Sequence, residues 1–471
     1  MDLTVVIFVL VYLAMALGHL PGLKVDRTGA ALIGAMLLMI TGKISPAAAW
    51  QSVDFNTIGL LFGLMVVSAA FVAGGFYDWV AAKLGEAPVG PRALLGLMVA
   101  VSAGLSALLT NDVVMVAMIP VLCAITIARG LNPIPFLLGL TFAANVGSTA
   151  TLIGSPRNMI LAETLHMSFT DFSRITLLPS VVSLVLVWLV LAAFYRNRWQ
   201  LAAAEDTAAT PTANTAAAAV DSAADVPVDN TVEASAASAV DGSTDGTAKM
   251  PADGSTQAAV VEAAAAAPAP QIKPFNKTET LKASVVTLAV IAAFVFTDWP
   301  HVLIALAAAS LLLLNRKISS HTLLDDVNGN LLLLLMGLFV VNAAMASTGL
   351  PHQVMTTLHK IGVDLHSPLQ ALLISAVVSD GVGNSPTIML LAPFISSATE
   401  HITLLGTAIS MGTGFSSNAV IFGSLAGIIA VEQASARGIT ISLGEFAKAG
   451  LPITVISLAL AIAWVYFLSA V

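Results

Sequence analysis

The residues able to do chemistry in this chain sit in four short polar runs within apolar surroundings. Two of the runs are Thr110-Asn111-Asp112 and Asp380-Gly381-Val382-Gly383-Asn384-Ser385-Pro386-Thr387. Each precedes an apolar arm that ends at a proline, Pro120 and Pro393, so each should open a helix whose first amide hydrogens lack an intrahelical partner. Those amides, with the positive end of the helix dipole, attract an anion or a substrate oxygen. Asn, Ser and Thr are also natural caps, so plain N-capping is the competing reading. Two matching tips favour a lining role.

The other two runs are Asn145-Val146-Gly147-Ser148-Thr149-Ala150-Thr151-Leu152-Ile153-Gly154-Ser155-Pro156-Arg157-Asn158 and Gly412-Thr413-Gly414-Phe415-Ser416-Ser417-Asn418-Ala419-Val420-Ile421-Phe422-Gly423-Ser424. Glycines and hydroxyl residues this dense unwind a helix, which frees carbonyls for a cation and amides for an anion. Close helix packing through small residues is the alternative. Beside the two tips, unwinding is the stronger reading.

Three ionisable residues lie in these runs. Asp112 and Asp380 are expensive at membrane depth and become candidates for a proton carrier or a cation ligand. Arg157 is the one basic residue inside an apolar span, either a clamp for an anionic substrate or a fixed partner of Asp112 or Glu163. Glu163 and Glu432 fall near span ends, where structural roles are commoner. No Gly-rich phosphate-cradling loop occurs, so energy from ATP is not expected within this chain; a separate soluble ATPase stands as a partner the sequence allows. No nucleic-acid partner, metal centre or cofactor is indicated. The single cysteine, Cys123, lies in an apolar run, which leaves no disulfide framework or thiolate metal site.

The elements that must position these runs are apolar helices. Of 471 residues 57% are hydrophobic and 10% charged, with a mean hydropathy of +0.91, against about 25% charged in a soluble chain. This is an all-α polytopic membrane protein in contact with lipid. The first apolar stretch follows no basic leader, so it should be retained as a span. The eight His residues avoid the polar runs, and no nucleophile with a base stands out, so an enzyme is not expected.

The chain also repeats. Gly63, Gly75, Asn111 and Pro120 recur as Gly337, Gly349, Asn384 and Pro393 at offsets of 273 to 274, and Gly154-Ser155 and Glu163 recur as Gly423-Ser424 and Glu432 at 269. Residues 1–199 form one membrane unit and 273–471 the other. Between them, 200–272 carries ten acids, one base and no aromatic residue, the composition of a disordered tether. In the first unit the expected spans are 3–19, 28–42, 56–82 and 175–195, with a hairpin over 93–128 and a broken helix over 134–164. In the second they are 281–297, 301–315, 329–348 and 449–470, with a hairpin over 368–398 and a broken helix over 403–432.

A spanning helix needs roughly 20 apolar residues, so the short hairpin arms should be re-entrant. Each unit then has five transmembrane helices and one hairpin, about ten spans in all, and an odd unit repeated across a tether must be inverted. With both termini outside, fourteen Lys and Arg fall inside and only Lys43, Arg174 and Lys360 outside, as the positive-inside rule requires. The tether is then cytoplasmic.

On these residues the chain resembles the ion transporter superfamily, which includes arsenite and antimonite permeases, sodium/proton antiporters and dicarboxylate or citrate carriers. Asn384-Ser385-Pro386-Thr387, Ile421-Phe422-Gly423-Ser424-Leu425-Ala426 and Thr110-Asn111-Asp112 are most similar to the arsenite permease branch. The run from Ala150 to Asn158 looks more like the general anion-carrier pattern, in which a second proline often stands where Arg157 is. The resemblance implies a scaffold subdomain from the first three spans of each unit, a transport subdomain of hairpins and broken helices, a homodimer, and alternating access in an inner membrane. It implies secondary active transport of a small inorganic anion or metalloid, with proton or sodium as coupling ion. A carboxylate carrier is the second reading and a sodium/proton antiporter the third.

The candidate binding residues are Thr110, Asn111, Asp112, Asn145, Gly147, Ser148, Thr149, Gly154, Ser155, Arg157, Asn158, Asp380, Asn384, Ser385, Thr387, Ser416, Ser417, Asn418, Gly423 and Ser424.

Overall fold

A computed structural model describes residues 2–20, 22–200, 273–395 and 401–470. The tether, apart from Gln200, and the last residues of the second hairpin lie outside the described residues. The described residues form twenty α-helices and two short 3-10 turns, with no strand beyond two isolated β-bridges.

The first unit contains α1 (Leu3–Leu17), α2 (Arg27–Ile40), α3 (Pro46–Ser52), α4 (Phe55–Ala73), α5 (Phe76–Glu86), α6 (Pro91–Leu108), α7 (Asn111–Ala128), α8 (Ile134–Gly147), α9 (Pro156–Leu165) and α10 (Phe169–Phe194). The second contains α11 (Lys277–Phe296), α12 (His301–Leu313), α13 (Ser320–Asp325), α14 (Gly329–Ala346), α15 (Leu350–Lys360), α16 (Pro368–Val382), α17 (Asn384–Ile395), α18 (Ile402–Ser416), α19 (Leu425–Ser435) and α20 (Leu443–Ala470). Each helix of the first unit has its counterpart ten helices later. The 3-10 turns, Leu152–Gly154 and Ile421–Gly423, occupy the same place in each unit, between α8 and α9 and between α18 and α19.

Local chemistry explains the matching boundaries. Asp54 caps α4 by accepting from the Asn56 amide at 2.9 Å, and Asn328 caps α14 by accepting from the Leu331 amide at 3.0 Å. A glycine in the left-handed region follows each helix and opens the next, Gly75 (φ +67°) before α5 and Gly349 (φ +72°) before α15, a conformation costly to residues with a Cβ. That turn corrects the expected span over 56–82, which is two helices, α4 and α5. The apolar run continues through Gly74-Gly75, but the backbone does not.

Seven helices among the described residues are long and apolar enough to cross a membrane: α4, α6, α7, α10, α11, α14 and α20. At 15, 14 and 13 residues, α1, α2 and α12 span about 20 Å at 1.5 Å per residue, so helix length alone does not give ten crossings.

The units clasp each other reciprocally. A side chain on Gly63 of α4 would meet the Ala305 backbone of α12 at 2.6 Å, and one on Gly337 of α14 would meet the Ala31 backbone of α2 at 2.9 Å. Gly63 and Gly337 are repeat equivalents, as are Ala31 and Ala305. When i meets j and the equivalent of j meets the equivalent of i, the two units are related as in a two-fold interface.

Candidate substrate site where two unwound helices meet

Both broken helices unwind where the glycine and hydroxyl runs predict, and the unwound stretches touch. Asn145, at the end of α8, donates its amide nitrogen across the molecule to Asn418 Oδ1 at 3.0 Å and Ser424 Oγ at 3.1 Å. Against the 3-10 turns, Asn418 is the equivalent of Thr149, and Gly414 of Asn145. Thr149 packs on Gly414, as the reciprocal rule of the fold demands.

Arg157 lies at this junction and is, among the described residues, the largest side chain with no exposure to solvent. Its Nη2 donates to Thr149 Oγ1 at 2.7 Å and reaches Ser148 Oγ and the Asn145 carbonyl at 3.4 Å. Its Nη1 donates to the side-chain oxygen of Asn384 at 3.0 Å. That orientation of the Asn384 amide also lets its nitrogen donate to the carbonyls of Gly423 and Thr413, at 3.0 and 3.3 Å. One guanidinium thus joins the first unwound segment to the start of α17. Asn158 braces the segment from behind, donating to the Ser148 and Thr151 carbonyls at 2.8 Å and accepting from Ser410 Oγ at 2.7 Å.

The carboxylates flank this knot. Asp112 lies within electrostatic reach of Arg157 but closes no ion pair within 4 Å, and Asp380 presses Oδ1 toward Gly423, 2.9 Å from where a Cβ would stand. Arg157 is not the partner of Glu163, which faces His301 Nδ1 at 3.7 Å instead.

At the first tip the Thr110 hydroxyl does not cap α7. It bonds to Ser68 Oγ at 3.2 Å, which also accepts from the Thr110 amide, while Asn111 is buried at the head of the helix. Ser155 likewise makes no capping bond to α9. Ser424 does cap α19, accepting from the Gly427 amide at 3.0 Å. Plain capping therefore holds at only one of these three helix starts.

Several candidates make contacts within their own surroundings. Gly147 and Gly154 sit against the backbones of Ala103 and Ser106, Thr387 gives its hydroxyl to the Gly383 carbonyl at 2.7 Å, and Ser416 bonds to the Thr413 carbonyl at 3.3 Å. Ser385 is half-buried at the second tip, and Ser417 joins the knot beside Asn384. Sequence reasoning passed over Ser68, Ser410 and Gly414. The offset of 269 pairs Gly414 with Asn145 and could have found it; the two serines carry no signal outside the tertiary contact.

Five buried polar atoms here have no hydrogen-bond partner within the protein: Asn111 Oδ1, Asn145 Oδ1, Arg157 Nε, Asp380 Oδ1 and Asn418 Nδ2. Buried polar atoms are rarely left unpaired, and their concentration at the breaks suits a small solute offering both donors and acceptors.

This fold and site define a class, membrane transporters with paired broken helices. The solved YdaH transporter of Alcanivorax borkumensis shares the fold, with a TM-score of 0.52 at 14% identity over 99% of this chain and 98% of that one. The chain belongs to the citrate transporter family (CitMHS), whose sequence profile matches residues 10–412. It is similar to a 46 kDa membrane protein of Mycobacterium leprae, 27% identical over 93% of both chains. It is also similar to the silicon efflux transporter LSI3 of Oryza sativa, 36% identical over 35% of this chain and 33% of that one. Relatives named as transporters make this chain a multi-pass membrane transporter rather than an enzyme.

Proposed function

We propose that the chain is a secondary active transporter of an inner (cytoplasmic) membrane that moves a small oxyacid or its anion, of the arsenite or antimonite type, by alternating access. The carrying observation is the buried Arg157 knot. It offers one fixed cation, two nearby carboxylates, Asp112 and Asp380, and otherwise amides and hydroxyls. A neutral or singly charged solute rich in hydroxyls matches that set, whereas a trivalent carboxylate would meet too little positive charge. The silicon efflux relative is in line with an uncharged oxyacid. The carboxylates are the groups for a coupling proton or sodium ion.

The second reading, a dicarboxylate or citrate carrier, is favoured by the family itself. Counterflow in proteoliposomes with arsenite, antimonite, silicic acid, phosphate, sulfate and citrate, with and without sodium or a proton gradient, separates the two. Arsenite-type counterflow driven by the gradient is expected. Citrate counterflow with none of the oxyacids would establish the carboxylate reading instead.

In the proposed topology the units are inverted, with re-entrant hairpins, both termini outside and the tether cytoplasmic. The scaffold is α1, α2 and α4 with α11, α12 and α14, in a homodimer. Lys43 and Lys317 are repeat equivalents, so in a Cys123→Ala background Lys43→Cys should react with an impermeant maleimide only from outside and Lys317→Cys only from inside. Reaction from the same side would end the inverted assignment.

A further inference from the structure

The two units share a plan but not a state. Ile153 and Phe422 are equivalent positions in the 3-10 turns, yet Ile153 is 2% exposed and Phe422 52%. Pro156 is buried while its equivalent, Leu425, is 38% exposed. We read the buried turn as the closed end of the polar junction and the exposed turn as its open end.

A glutamate–histidine contact marks the closed end. Glu163, eighth residue of α9, faces His301, first residue of α12, with Oε1 to Nδ1 at 3.7 Å and both side chains largely buried. The Phe294 ring backs the imidazole edge-on, with centroids 4.7 Å apart. The contact joins the helix leaving the first unwound segment to the scaffold, and α9 also packs on α4.

The equivalents of these residues are Glu432, eighth residue of α19, at an offset of 269, and Arg27, first residue of α2, at 274. Among the described residues neither has an ion pair. Glu432 is exposed, and Arg27 has a buried Nε without a hydrogen-bond partner. The Arg27 guanidinium already lies at the second hairpin, with Nη1 4.0 Å from where a Cβ on Gly383 would stand.

We propose that Arg27 and Glu432 make, in the opposite-facing state, the contact that Glu163 and His301 make here, so that the four residues form a two-ended gate between scaffold and transport helices. The proposal rests on the alternating-access reading above. Its physical basis is reciprocity: contacts made as i to j in one unit recur as j to i at Gly63 with Ala305 and at Asn145 with Asn418. Exchange of the units' conformations then converts the closed end to the open one and carries Glu432 to Arg27. Arg27 offers a delocalised, permanently charged fork, so the second pair binds its glutamate whether or not His301 holds a proton.

The test uses cross-linking in membranes and no transported solute. In a Cys123→Ala background, Arg27→Cys with Glu432→Cys, and separately Glu163→Cys with His301→Cys, are treated with a short bis-methanethiosulfonate. A cysteine at Phe422 or Ile153 is then labelled with a maleimide. Both pairs should link. Linking 27 to 432 should suppress labelling of Phe422→Cys at least about tenfold and expose Ile153→Cys, while linking 163 to 301 keeps the present pattern.

If Ile153→Cys becomes reactive in unlinked protein while 27 and 432 never link, alternation stands and the gate falls. If the reactivities of 153 and 422 stay fixed in every protein, alternating access falls and the gate with it. Should the cysteine pairs fail to fold, charge exchange reads the same contact. Glu432→Arg should hold Phe422→Cys reactive, and adding Arg27→Glu should restore its protection. No restoration overturns the gate.

Discussion

Arg157 has no counterpart in its own repeat. The equivalent position is Ala426, itself wholly buried, and the guanidinium occupies space left by Gly414, the residue that stands where Asn145 would be repeated. A methyl group on Gly414 would meet Thr149 Oγ1 and Arg157 Nη2. Gly414→Ala should therefore push the arginine out of register, costing about 1–3 kcal/mol of binding or folding, seen as weaker substrate protection in a thermal-shift assay. Arg157→Lys keeps the charge but replaces a fork bound to both Thr149 and Asn384 with one point donor. Counterflow should drop at least about tenfold, since one charged hydrogen bond is lost, worth about 1.5–3 kcal/mol. An unchanged rate would remove Arg157 from the site. Arg157 stands out in the sequence because a lone cation in an apolar span is rare. That it meets Asn384, itself a candidate, is not legible there, because nothing local joins the first unwound segment to the start of α17.

At the scale of elements, the breaks between α8 and α9 and between α18 and α19 come from composition, since dense small and hydroxyl residues interrupt the apolar runs where the backbone unwinds. The division of 56–82 into α4 and α5 escaped that reading because Phe76, Tyr77 and Val80 keep the run apolar past the left-handed turn at Gly75. The contact of α4 with α12 depends on Gly63. Gly63→Leu should drive the helices apart and lower the melting temperature in detergent, by the equivalent of about 1–3 kcal/mol or more. Gly337→Leu should do the same at α14 and α2. Gly104→Leu is the control: a Cβ there meets nothing within 4 Å, so stability should hold. Equal effects at 63 and 104 would mean that the close approach is not what stabilises the pair.

For the whole molecule, the reciprocal clasp makes each unit the completion of the other. Polypeptides 1–199 and 273–471, expressed together without the intervening segment, should assemble and co-purify, whereas either alone should be degraded or aggregate. Stable, separately folded halves would show that the clasp is not needed for folding. The same reciprocity places Asn145 of the first unit on Asn418 and Ser424 of the second, so neither unit holds the candidate site alone.

The sequence by itself determined the class, a helical membrane protein built twice, because hydropathy and repeated glycines, asparagines and prolines act through local backbone preferences that need no partner. It also marked the four polar runs. Only the tertiary structure decided that three of the runs meet at one guanidinium, that Glu163 turns to His301 rather than to Arg157, and that Ile153 is buried where its equivalent Phe422 is exposed. Those outcomes depend on which surfaces meet across the two units. Residues more than a hundred positions apart in the chain carry no local sign of that meeting.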